Sequence, residues 1–84
     1  NLTVFPNPFT DRLNFRFMAD ASERAVIELY DITGSRIAVV FDEYVSEGQV
    51  YEVEYRPQIH NTTVVFYRMI LGHRVTNGKL IYKE

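Results

Sequence analysis

Tyr51-Glu52-Val53-Glu54-Tyr55-Arg56 alternates apolar and charged side chains without a break. An extended chain sends successive side chains to opposite faces, so this stretch reads as a strand with one buried face and one wet face. The same period recurs upstream from Leu13, with Leu13, Phe15 and Phe17 on one face and Asn14, Arg16 and Met18 on the other. Residue usage agrees. The chain has 22 valines, isoleucines and threonines and 12 phenylalanines and tyrosines, all favouring extended backbone, against nine alanines and leucines. No window of about 11 residues places apolar side chains at helical spacing, so no helix is predicted.

Turn residues punctuate the rest of the chain. Leu2 to Phe5 is a strand that stops at Pro6-Asn7-Pro8, where two prolines withdraw backbone donors. Ala25 to Tyr30 and Arg36 to Asp42 flank Asp31-Ile32-Thr33-Gly34-Ser35 and form a hairpin, with Ile37, Val39 and Phe41 expected on one side. Ser46-Glu47-Gly48 breaks the chain before the strand at Tyr51. Thr63 to Leu71 is apolar on both faces except at Arg68, the pattern of a strand covered on both sides. The chain then turns near Gly72, and Asn77-Gly78 reads as a bulge or loop end before a last strand from Lys79 to Lys83. Strands that each offer one apolar face bury them most simply between two sheets. The expected fold is all-β, an immunoglobulin-like antiparallel β-sandwich of about seven strands within a single domain spanning residues 1–84.

Composition removes several function classes. Nine basic and eleven acidic residues give a formal charge of -2, so charge alone supplies no affinity for nucleic acid. The absence of cysteine excludes disulfides and thiolate chemistry. His60 and His73 fall in loops without a second ligand at metal spacing, and Asp42 and Glu43 lack the repeated oxygen ligands of a calcium loop. Glu52 and Glu54 share a wet strand face rather than an acid-base site. Asp31-Ile32-Thr33-Gly34 interrupts the aspartic-protease order and reads as a turn. Neither catalysis, a cofactor nor a metal site is expected. The Asn1 and Asn61 sequons carry no weight.

The order of motifs says more. Leu2-Thr3-Val4-Phe5-Pro6-Asn7-Pro8-Phe9 with Asp11, then Ile27 to Ile37 containing Tyr30-Asp31 and Gly34, then Phe66-Tyr67-Arg68-Met69, then a closing Asn77 to Glu84, resembles the C-terminal sorting domain of type IX secretion cargo. The resemblance covers essentially the whole chain. It implies a removable tag at the end of a larger secreted protein. An N-terminal cargo domain in the same chain would be carried through the periplasm to the cell surface or medium by the type IX translocon, and a sortase-like protease would remove the tag.

Residue by residue, the resemblance assigns Pro6, Asn7, Pro8 and Asp11 to the opening motif and Asp31 and Gly34 to the central turn, in architectural roles. It assigns Lys79, Leu80, Ile81, Tyr82 and Lys83 to the segment that the translocon recognises, as a terminal strand offering backbone edge and side chains together. Thr63-Val64-Val65 departs from the Gly-x-Tyr usual before the penultimate strand. An exposed edge leaves pairing between two copies open. The alternative is an accessory sandwich that binds carbohydrate or spaces an adhesin, for which Tyr30, Tyr44 and Tyr67 are the aromatics to place.

Overall fold

Alternation at Leu13–Met18 produces a strand whose Leu13, Phe15 and Phe17 are buried, and six other segments pack around it. In the computed structural model, which describes residues 2–59 and 63–84, the strands are β1 (Leu2–Phe5), β2 (Leu13–Met18), β3 (Glu23–Tyr30), β4 (Arg36–Val45), β5 (Val50–Tyr55), β6 (Val64–Leu71) and β7 (Arg74–Ile81). Asn1, His60 and Asn61 lie outside the described residues, while His73 is exposed in the turn between β6 and β7. Two antiparallel sheets form, in the orders β1-β2-β5 and β4-β3-β6-β7. This is the immunoglobulin-like sandwich expected from the alternation.

The core lies between the sheets. Phe9, Phe15, Leu13, Ile27, Leu29, Leu80, Val45 and Val65 are its largest fully buried side chains. Each such side chain contributes about 1.5–3 kcal/mol. Phe17 stacks on Tyr51 at 5.4 Å between ring centroids and meets Phe41 edge-on at 5.9 Å, closing the side where β4 approaches β5.

Three expectations need correction. In β4, Ile37 and Val39 face solvent while Ala38, Val40 and Phe41 are half-buried. The register shifts between Ile27 and Glu28, pairing Ile27 with Phe41 but Glu28 with Val39, and the extra residue reverses which side chains point inward. In β6, the outer face is not covered among the described residues: Phe66 and Arg68 are exposed there, though the strand is interior to its sheet.

The third concerns the hairpin of β6 and β7. It turns at Gly72, whose φ of 61° suits glycine, but Asn77-Gly78 is neither bulge nor loop end. Both lie inside β7 in unbroken register, Arg68 with Asn77 and Tyr67 with Gly78. Glycine stands there for space, not for φ: a Cβ would run into the Tyr67 ring that lies across it. Gly78→Val is therefore expected to destabilise the domain by about 1–3 kcal/mol through overpacking, read as a lower urea midpoint.

Candidate functional site

Period two divides the closing segment between core and solvent. Leu80 pairs with Val65 across the hairpin and is 1% exposed. Tyr82 is half-buried against Phe9, with ring centroids 5.4 Å apart. Lys79, Ile81 and Lys83 face outward. Of the five residues assigned to recognition, three are thus available to a partner while two hold the fold.

The backbone edge of this segment is already taken. After β1 the chain crosses from one sheet to the other through Pro6-Asn7-Pro8, where the prolines have no amides to satisfy. The Asn7 side chain then donates Nδ2–H to the Lys79 carbonyl at 3.3 Å and accepts the Ile81 amide on Oδ1 at 2.9 Å. Phe9 follows, its amide donating to the Ile81 carbonyl at 2.9 Å and its carbonyl accepting the Lys83 amide at 2.8 Å. The Thr10 hydroxyl donates to the Lys83 carbonyl at 2.9 Å.

Residues 7 to 10 therefore act as a short parallel neighbour of the closing segment, with Phe9 bridged to Tyr82. The expected free edge along Lys79 to Lys83 is largely taken in the folded chain. Among the described residues, the outward backbone groups of β7 that remain unoccupied are those of Val75 and Asn77 and the Lys79 amide. Asn7→Ala is expected to speed hydrogen exchange at the Ile81 amide and lower stability by about 1 kcal/mol, since two edge groups lose their partner.

The central turn is a separate structure. Asp31 Oδ1 accepts the Thr33 amide at 2.9 Å, the Thr33 hydroxyl at 2.6 Å and the Ser35 amide at 3.0 Å, while Gly34 takes a φ of 87°. The Thr33 hydroxyl, and after it the Ser35 amide, hold the Asp31 carboxyl below the usual carboxylate range. A depressed pKa stabilises the fold above the unfolded value of about 3.9, and that contribution is lost as pH falls through the folded value. The Tm gap between the natural chain and Asp31→Asn is therefore expected to be widest near neutrality and to close below about pH 4. Asp11 stands apart from both groups, in an exposed pair 3.6 Å from Arg56.

Sequence reasoning gave no role to Phe9 and Thr10, which carry three of the five edge hydrogen bonds. An apolar residue isolated in a Pro- and Asn-rich connection was the available signal. Of the three tyrosines to place for sugar binding, Tyr30 and Tyr67 line one open groove beside the Asp31 turn, with Tyr30 giving its hydroxyl to Glu28 and Tyr67 meeting Phe15 edge-on. Tyr44 stands apart, donating to the Ser22 carbonyl at the other end of the sheet.

A family model described as the secretion system C-terminal sorting domain matches residues 3–54, more than half of the chain. The chain belongs to that family. It is a sorting signal of type IX secretion, a cargo tag for export across the outer membrane to the cell surface or beyond. The matched part of the sorting domain contains Pro6, Asn7, Pro8, Asp11, Asp31 and Gly34 and ends before the closing segment. The crystal structure of dimeric latent PorU from Porphyromonas gingivalis is similar to the sorting domain, with a TM-score of 0.68 at 20% identity, over 96% of this chain and 9% of that one. At that identity the likeness is one of fold, which it extends to the closing segment. No curated relative matches the sorting domain.

Proposed function

We propose that residues 1–84 form one sorting domain of a larger secreted protein, joined to its cargo on the N-terminal side. The cargo crosses the periplasm, the type IX translocon reads the domain, and a sortase-like signal protease removes it at the surface. The family match over residues 3–54 carries this reading.

The geometry supports a particular mode of reading. Leu2 pairs with Phe17 at one end of the sandwich, whereas Tyr82 meets Phe9 at the other. A cargo attached before β1 leaves the closing segment unobstructed. Because residues 7 to 10 occupy its backbone edge, recognition of the folded domain proceeds through the side chains of Lys79, Ile81 and Lys83, an apolar group between two cations. Leu80 and Tyr82 present that strip by anchoring it.

Fusing residues 1–84 to a periplasm-targeted fluorescent protein in a type IX-competent host tests the reading. The reporter is expected at the surface or in the medium. A folded fusion that stays in the periplasm sinks the proposal.

A further inference from the structure

Both outer faces of the sandwich expose apolar side chains, Phe5, Met18 and Val50 on the three-stranded sheet among them, but they differ in how their charges are met. On β2 and β5 charges pair across strands, Arg16 with Glu52 at 3.8 Å and Arg12 with Glu54 at 3.9 Å, as on a solvated face. The outer face of the four-stranded sheet mixes apolar side chains with charges. Val26 lies beside Ile70, Ile70 beside Val75, and Tyr30 beside Phe66. Val39, Phe66 and Val75 are 44%, 38% and 48% exposed.

Charges on that face are unbalanced. Glu28, 8% exposed, spends its oxygens on the Tyr30 hydroxyl at 2.9 Å and Arg36 at 3.1 Å, and Asp42 is held bidentately by Arg24 at 2.8 Å. Arg68 sits directly across from Glu28 yet makes no ion pair among the described residues. The other arginines (Arg12, Arg16, Arg24, Arg36, Arg56 and Arg74) are all paired with carboxylates. Lys79, next to Phe66 on the same face, has no carboxylate partner among the described residues either. Arg68 also lines an open groove of about 440 Å³ with Ile32, Phe66 and Asn77. Asp31 borders this groove, with its Oδ1 committed to its own turn.

We propose that the outer face of β4-β3-β6-β7 is a docking face for a partner protein whose contact surface is apolar and carries carboxylates set to meet Arg68 and Lys79. The inference rests on the sorting reading and extends it from a terminal strip to a sheet face. Charge complementarity selects the partner. Two copies packed face to face would oppose Arg68 and Lys79 to their own likenesses, which disfavours self-association. Four strands of about eight residues offer roughly 400–500 Å², below the about 800 Å² per partner of a standard stable interface. The contact is accordingly transient, as a tag that must be released requires.

The reporter fusion of residues 1–84 tests this in the same host. Arg68→Gln and, independently, Val39→Thr/Val75→Thr are each expected to lower the exported fraction about tenfold, with the urea midpoints of the purified variants unchanged. Arg68→Lys, which keeps the charge, falls between Arg68→Gln and the natural chain. Full export of both folded variants, with the unaltered fusion exported, would overturn the docking face and leave the sorting reading intact. Retention of the unaltered fusion removes both. Arg68-dependent dimers in sedimentation, or Arg68-dependent binding to phosphatidylglycerol but not phosphatidylcholine vesicles, would assign the face to a second copy or to a membrane and overturn the proposal.

Discussion

Leu80→Asp is expected to leave the sorting domain unfolded, and Leu80→Ala to cost about 2–5 kcal/mol, a large part of the 5–15 kcal/mol that holds an ordinary domain together. The side chain is fully buried opposite Val65 in the hairpin of β6 and β7, so truncation leaves a cavity and a carboxylate there has no partner. Ile81, one residue further, faces outward, and Ile81→Ala is expected to cost about 1 kcal/mol or less. Urea unfolding of the three variants checks this. An Ile81→Ala penalty equal to that of Leu80→Ala would contradict the division of the segment into core and exposed faces. The contrast matters for export, because a variant of Leu80 or Tyr82 that fails to be secreted reports lost folding, not lost recognition.

Legibility in the sequence followed the range of the interactions. Alternation at Leu13–Met18 and Tyr51–Tyr55 declared β2, β5 and their buried faces, because period two is a property of the strand alone. The turn at Asp31 to Ser35 was equally legible, since its hydrogen bonds lie within five residues. The inward face of β4 was not. The register shifts twice opposite β3, past Val40 and past Ile37, and nothing local in Ile37 to Phe41 marks either irregularity. Gly78 was misread for a related reason, since its cause is the ring of Tyr67, a neighbour only across the hairpin.

The candidate site divided along the same line. The identity of the closing segment came from the order of motifs, but the partnership of Asn7 and Phe9 with residues 79 to 83 joins groups more than 70 positions apart. The opening and closing motifs are therefore one structure. The first covers the backbone edge that the second would otherwise expose, which also protects a terminal strand from pairing with other chains.

Lys79→Glu/Lys83→Glu is expected to reduce export of the reporter fusion at least about tenfold while leaving the urea midpoint within about 0.5 kcal/mol of the natural chain. These are the chain's two lysines, both in the closing segment, and neither ammonium has a carboxylate partner among the described residues. Lysine suits this use: a strongly hydrated point charge on a flexible stem meets a partner without being committed beforehand to one geometry. Reversing both charges alters no buried contact, and the bonds from Asn7, Phe9 and Thr10 reach the backbone of residues 79 to 83, not the lysine side chains. Net charge falls by four in that variant. Lys79→Gln/Lys83→Gln, which lowers it by two, is therefore compared with Ser46→Glu/Gln49→Glu at the opposite end, which lowers it equally and is expected to export normally. Export of the lysine variant at the natural level would mean that the strip is not read through its cations. Equal loss in the control would mean that overall charge, not the closing segment, governs passage.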